Sequence, residues 1–455
     1  MNDSLLPPKP LLRGIIPKSF AEDTFDRRIP DIFTQVVKNF EDALSKVDPS
    51  ENEKLKEGKE IKSKLEKLVD DIINDREFNE LNKDEYQDCE EWNNCIKYWK
   101  NKNEATYKKC SWLFSESYLY RVLANYFSIS KYWKNYDSFT VKKEKSLIGE
   151  TWKSVVAMAD MINPLIKNTD DNSVRETFIS FLKYSLWGNQ ADLSLHTNAK
   201  IDLTNLHKIT LDEIKKSDNN LISDESSKIW DYVSTIHGKR FDFILDNAGY
   251  ETYNDLVFAD WLMSKGFASQ IVWHCKQIPW YVSDTNIKDF KWIIDTCINP
   301  PESLKNFDNT NVIEMAKRWK TYIENNQWVL NNDIFWTSNY PFWHMATFAP
   351  KLYEYLSDSS LLIFKGDMNY RKTVYDCYWP FTTPFIEACG NFGQPVPITG
   401  KPFPPFACLR TCKADVITGL KEGVSERLDK ECKEWLVNGK YGIIQFNDKY
   451  LNLRK

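Results

Sequence analysis

Glycine is scarce in this chain of 455 residues, at 15 positions, and nowhere is it spaced to cradle a nucleotide. No Gly-x-Gly-x-x-Gly fingerprint, phosphate-binding P-loop or Gly-x-Ser-x-Gly nucleophile elbow is present. The five histidines, at 196, 207, 237, 274 and 344, include no His-x-x-x-His or related zinc spacing. Ten cysteines are scattered along the whole chain, which suits reduced thiols in the cytosol rather than a disulfide framework. Cys89/Cys95 and Cys408/Cys412 are closer pairs, but neither has a second pair or a histidine at zinc-site spacing. No apolar run approaches the roughly 20 residues of a membrane helix, and Met1 to Pro10 lack a signal peptide's basic start and apolar core. Net charge is -5, and the densest basic cluster, Lys142-Lys-Glu-Lys145, contains an acid. Nothing in that electrostatic pattern calls for nucleic acid or an acidic membrane as partner.

Aromatic residues, by contrast, are plentiful: Trp 17, Tyr 22 and Phe 26, in a chain that is 42% hydrophobic and 27% charged. Such a chain packs tightly and is long enough for two or more cores. Residues 1–185 read as helical. Ile32, Val36, Phe40 and Leu44 recur every four positions after Pro30, and Ile61, Leu65, Leu68, Val69 and Ile72 mark one face of a charged helix over 54–73. Further helices are expected over 112–133 and 173–187, with loop or short helices over 86–107. Beyond 185 the period changes. Short apolar runs at 241–245, 269–275, 361–365, 405–412 and 442–446 alternate with helical patterns at 252–265, 288–299, 312–325 and 414–419. That alternation predicts a mostly parallel sheet covered by helices, over 186–455.

The chemistry-bearing residues cluster where these strands end. Asp246-Asn247 follows the first run, and Ile278-Pro-Trp-Tyr-Val-Ser-Asp284 follows the second. Lys365-Gly-Asp-Met-Asn-Tyr-Arg-Lys372 follows the third. Ligands of open α/β sheets lie outside the carboxyl ends of strands, and hard divalent cations take oxygen donors from Asp and Asn. Arg371 and Lys372 are donors suited to phosphate, and Arg410 and Lys413, three apart, form a fourth cluster. Each has a plainer reading. Asp246-Asn247 commonly turns a chain and caps the next helix. Arg410 and Lys413 also fit a surface pair, Gly188-Asn189 fits a helix stop, and Asn189 and Asp192 also fit a turn towards a site. The tryptophans read as core, with Trp280 a candidate pocket wall.

Taken together, Leu245-Asp-Asn-Ala-Gly-Tyr-Glu251, Pro279-Trp-Tyr-Val-Ser-Asp284, Lys365-Gly-Asp-Met-Asn-Tyr-Arg-Lys372 and Arg410-Thr-Cys-Lys413 resemble the damage-control phosphatase family. The Arg-Thr-x-Lys element resembles its third subfamily, the sugar-phosphate phosphatases of the acidic-residue methyltransferase-like type. Trp187-Gly-Asn-Gln-Ala-Asp-Leu-Ser194, Trp112 to Arg121 and Ser19-Phe-Ala…Arg28-Ile-Pro30 match as well, so the resemblance spans roughly residues 10–450. It departs at Tyr136-Asp-Ser-Phe139, where the family usually shows Asp-Pro-Phe.

The resemblance implies a three-layer α/β/α sandwich with a mostly parallel central sheet, preceded by an all-helical N-terminal domain. It implies a divalent cation (Mn²⁺, Ni²⁺, Co²⁺ or Mg²⁺) at Asp246, Asn247 and Asp284, which are also the expected catalytic residues. Substrate contacts are expected from Asp367, Met368, Asn369, Tyr370, Arg371 and Lys413, with Asn189, Glu251, Lys372 and Arg410 as further candidates. The implied activity is hydrolysis of a small phosphorylated metabolite such as fructose 1-phosphate or fructose 6-phosphate. The location is expected to be cytoplasmic, a nuclear pool being compatible, with no obligate protein partner. The alternative within enzymes is a carboxyl methyltransferase using S-adenosylmethionine, to which Glu251 would be linked.

Overall fold

The computed structural model describes residues 2–167, 173–188 and 218–454. Its centre is a sheet of β1 (Leu221–Asp224), β2 (Lys239–Ile244), β3 (Ala268–His274), β4 (Trp328–Asn331), β5 (Leu361–Lys365), β6 (Phe406–Thr411) and β7 (Gly442–Asn447). The strand order is β1-β7-β6-β5-β2-β3-β4. The stretch β6-β5-β2-β3-β4 is parallel throughout. β7 runs antiparallel to β6 and carries β1 parallel to itself.

Strands buried on both faces need apolar residues at every position, and β5 is buried along its whole length. Successive side chains go to opposite faces. Phe241, Phe243, Leu361, Ile363, Ala407 and Leu409 therefore enter one core, while Ile244, Leu362, Phe364, Phe406 and Cys408 enter the other. The first core is closed by helices Trp152–Lys167, Val174–Trp187, Tyr250–Ser264, Ile287–Ile298 and Thr310–Glu324. The second is continuous with helices Ile29–Ser45, Asn52–Ile73, Cys89–Asn101 and Trp112–Ser128. The fold is thus an α/β/α arrangement with a helical N-terminal region. Two helices of the first 187 residues, Trp152–Lys167 and Val174–Trp187, pack on the sheet with the helices that follow.

Several local expectations need correction. A single helix, Cys89–Asn101, occupies much of 86–107, because Trp92, Cys95, Ile96 and Trp99 form one buried stripe. The helix that begins at Trp112 stops at Ser128 rather than continuing to Trp133. No helix forms over 414–419, since the carbonyls of Ala414 and Val416 accept from the Arg410 guanidinium and that of Thr418 from Gln445. β1 and β4 were not foreseen. Among the described residues no helix is long and apolar enough to cross a membrane.

The strand order fixes where a ligand can enter. β3 and β4 extend the sheet on one side of β2, and β5 starts the other side. The crevice at the carboxyl ends of β2 and β5 is therefore the switch point of the sheet.

Candidate active site

Beyond β2 the chain keeps pairing for one residue, Leu245 N–H donating to His274 O at 3.1 Å, before it turns out at Asp246. Segments 246–248 and 283–285 then pair antiparallel. Asn247 bridges Asp284, Ala248 N–H donates to Ser283 O at 2.7 Å, and Thr285 N–H donates to Asp246 O at 2.7 Å. This short ladder brings Asp246, Asn247 and Asp284 together. The turn-and-cap alternative is not what forms: the helix that follows has Gly249 at its N-cap, φ +83°, with no side-chain cap. Asn247 Nδ2 instead donates to Asp246 Oδ2 and Glu251 Oε2, both at 2.8 Å, and Asn247 Oδ1 accepts from Ser283 Oγ.

The turn before Asp284 is strained. Tyr281 and Val282 have φ of +42° and +70°, and Ser283 N–H donates to Tyr281 O at 2.8 Å, closing a three-residue turn. A β-branched residue at positive φ persists only where its surroundings hold it. Here the Tyr281 ring stacks on Tyr120 at 4.7 Å between centroids. Tyr281 thus lines the cavity, while Trp280 lies buried behind it.

Burial pushes the Asp246 carboxyl well above its ordinary range, and the carboxylates of Glu251 and Asp284 push it further. Burial also raises Asp284, against the pull of the Lys276 ammonium 3.2 Å from its Oδ2. Lys276 also donates to Leu245 O at 2.6 Å, so it ties β2 to the Asp284 loop. That ammonium is the ion-pair partner of Asp284 Oδ2, which has no well-aligned hydrogen bond besides. Two carboxylates and a carboxamide oxygen are the kind of donor set a hard divalent cation takes, so these residues fit the metal implied for them. Gly366, φ +84°, makes the arrangement possible, since a Cβ there would lie 1.9 Å from Asp246 Oδ2.

These residues open onto a cavity of about 330 Å³ between the strand ends and the N-terminal helices. Asp367, Met368, Arg371 and Lys413 line it. Asp367 Oδ1 accepts from Arg410 Nε at 2.7 Å and from the Lys413 backbone N–H at 3.1 Å. Arg410 is itself buried and bonded to carbonyls, so it positions Asp367 rather than facing a ligand. Asn369 is a correction: its amide is buried beneath the strand ends, donating to Lys365 O at 2.7 Å and Leu245 O at 3.2 Å. Tyr370 is another, its hydroxyl meeting Thr418 Oγ1 at 3.0 Å inside the core. Lys372 is a third. Its fully buried ammonium donates to Ser338 O at 2.7 Å and Trp336 O at 3.2 Å, and burial draws its pKa well below the ordinary lysine value.

Arg371 reaches the cavity with its charge already balanced. Nε and Nη2 donate to Asp376, Nη1 donates to Glu116 Oε2 at 2.8 Å, and the guanidinium lies 3.7 Å over the Trp112 ring. Glu251 is buried and pairs with Lys365 at 3.2 Å as well as with Asn247. Asn189 lies outside the described residues. A second acidic group, Asp84, Asp88 and Cys89, meets the geometry of a metal site. Its centre is taken by the Arg121 guanidinium, which bonds both carboxylates. Asp137, at the departure from the family pattern, pairs with the buried Lys143, as does Asp289. Arg28, Lys142 and Lys276 were not singled out as site residues from sequence. Arg28 lay in a segment carrying the resemblance, but helix packing alone brings it to the cavity.

The fold and site define an α/β/α domain with an acidic strand-end cavity at its switch point, walled by N-terminal helices. Residues 24–428 match the family described as the Damage-control phosphatase ARMT1-like domain, and the chain belongs to that family. It is 32% identical over 449 residues to the Damage-control phosphatase ARMT1 of Bos taurus, covering 94% of this chain and 96% of the relative. The protein of the same description from Xenopus tropicalis is 33% identical with the same coverage. A solved DUF89-family protein from Pyrococcus horikoshii aligns with a TM-score of 0.39 and 14% identity, over 79% of this chain and 91% of that one.

Proposed function

We propose that the chain is a metal-dependent phosphomonoesterase that hydrolyses small sugar phosphates, such as fructose 1-phosphate or fructose 6-phosphate. The family and the named relatives support the phosphatase class. The observation that carries the finer reading is the gathering of the Asp246, Asn247 and Asp284 oxygens at the floor of a cavity sized for a compact polyol phosphate. A divalent cation held by Asp246, Asn247 and Asp284 would polarise the phosphoryl group and acidify an attacking water.

The remaining work falls to the chain. Lys413, exposed on the strand-end wall, offers its ammonium to charge developing on the phosphoryl oxygens. Asp367 is held through Oδ1 by two donors, which leaves Oδ2 to accept from a sugar hydroxyl or from the attacking water. Trp112, Tyr281 and Ile29 narrow the cavity and exclude bulk water, which strengthens the electrostatic contacts inside. Glu251 and Lys365 hold Asn247 from behind and act as positioning residues.

The test is phosphate release over a panel of phosphorylated sugars by chelator-stripped protein, resupplied with Mn²⁺, Ni²⁺, Co²⁺ or Mg²⁺. Asp246→Ala and Asp284→Ala should each lower kcat/KM by at least about 100-fold, since even outer-shell partners of a metal cost 10–100-fold. Activity that survives stripping, or either substitution, refutes the site.

A further inference from the structure

The cavity is lined by four cations from separate parts of the chain: Arg28, Lys142, Arg371 and Lys413. They are not equivalent. Arg371 is engaged by two carboxylates, Asp376 and Glu116. Arg28, Lys142 and Lys413, by contrast, have no carboxylate at ion-pair distance among the described residues. The acids of the cavity are matched differently. Glu116 is held by Arg371 and Asp367 by Arg410, while Asp284 sits beside Lys276. Asp246 belongs to the proposed metal set. The cavity cations outside these ion pairs are Lys413 and two residues of the N-terminal helical region, of which Arg28 also feels the Glu116 carboxylate.

Arg28 is built into place. It ends a single π-helical turn, Thr24–Arg28, a distortion frequent at functional sites. Its Nη1 donates to Thr24 Oγ1 at 3.2 Å, and its guanidinium lies 4.4 Å over the Phe20 ring. Phe20 is fixed in turn, its N–H donating to Asp415 Oδ2 at 2.8 Å and its ring meeting Trp112 edge-on. With one nitrogen used by a hydroxyl, the rest of the fork is available to a ligand, and a planar fork suits phosphate oxygens. Lys142 stands on the helix Thr140–Lys145, which the buried Lys143 anchors to Asp137 and Asp289. The Lys142 side chain is exposed on that anchored helix.

We infer that Arg28 and Lys142 bind the anionic part of the substrate, so that the N-terminal helical region supplies substrate recognition to a site whose metal donors come from the sheet. This rests on the phosphatase reading above and deepens it. The class of ligand is a dianionic phosphate monoester on a compact alcohol. Lys413 holds the charge from the strand side, and Arg28 and Lys142 hold it from the helical side. These residues act in binding, so their removal should raise KM and leave kcat nearly unchanged.

The test is calorimetric titration of Mn²⁺-loaded protein with inorganic phosphate, at low and at moderate salt, for wild type, Arg28→Gln, Lys142→Gln and Arg28→Lys. KM and kcat on the best sugar phosphate and bound-metal content are measured on the same samples. Each Gln variant should weaken phosphate binding and raise KM by about 10-fold, as loss of a charge-assisted contact does. Metal content should be unchanged, salt dependence should be shallower, and Arg28→Lys should recover part of the loss. Should Arg28→Gln fail to fold, the exposed Lys142 decides the matter. Phosphate affinity within twofold of wild type in the folded variants overturns the inference. Phosphate binding that weakens in the variants of a protein inactive on every sugar phosphate would support this inference and refute the substrate reading alone.

Discussion

Gly366→Ala isolates the geometry on which the candidate metal site depends. Gly366 begins the helix after β5 at φ +84°, and an added Cβ would sit 1.9 Å from Asp246 Oδ2 and 2.1 Å from its Cγ. Ordinary contact begins near 3.4 Å, so the carboxylate must retreat by about 1.5 Å. A binding constellation tolerates roughly 0.5 Å. The backbone strain of a left-handed alanine adds about 1–2 kcal/mol. Metal affinity should fall by about 10–100-fold or more, with phosphate release falling alongside it. Gly423→Ala is the control: its φ is +80° and nothing lies within 4 Å of the added Cβ, so it carries the strain without the collision. Metal titration by calorimetry and thermal unfolding of both variants separate the two effects. Adding Gly366→Ala to Asp246→Ala should lower metal affinity no further, because the collision partner is gone. Equal metal affinity in Gly366→Ala and Gly423→Ala would refute the reasoning.

The two lysines expected to serve alike should separate. Lys413→Met should lower kcat/KM about 10-fold or more, whereas Lys372→Met should leave kcat/KM within about twofold and change only the unfolding midpoint; the reverse pattern in steady-state kinetics would overturn both placements. Arg371→Lys should destabilise the fold by about 3 kcal/mol, because one ammonium cannot satisfy both Asp376 and Glu116. An unchanged urea midpoint would refute that pairing. Burial holds Asp255 and Asp415 at about 6, above the unfolded 3.8. The native state then keeps more protons than the unfolded one between those values, so these groups cost stability as pH rises from about 4 to 6. Asp415→Asn should narrow the difference between urea midpoints at pH 5 and pH 7, and an unaltered difference would contradict the assignment.

What could be read in the residues follows from how each element is buried. β2, β3, β5, β6 and β7 are apolar runs because neighbours or helices cover both faces, and runs of that kind stand out. β1 and β4 are four-residue edge strands only partly buried, so their composition resembles a loop. The helix Cys89–Asn101 was legible in principle from Trp92, Cys95, Ile96 and Trp99, but its polar positions blur the period. At the site, Asp246, Asn247 and Asp284 announce themselves as oxygen donors at strand ends. Whether they cap a helix or gather at one point depends on the ladder between 246–248 and 283–285, a contact across 36 residues of chain.

The cations were the least legible part, and the reason is geometric. Arg371 and Lys372 are neighbours in sequence, yet successive residues of a helix point about 100° apart. One therefore reaches the cavity and the other enters the core. Even the one that arrives is silenced by Glu116, 255 residues away. Arg28 and Lys142 carry no motif that distinguishes them from surface charges. Helices of another region press them against the strand ends, and among the described residues neither has a carboxylate at ion-pair distance. Residue type at a strand end is thus a fair guide to where oxygen donors gather. Which cations remain unpaired after folding is decided by packing, and only the packed structure contains that information.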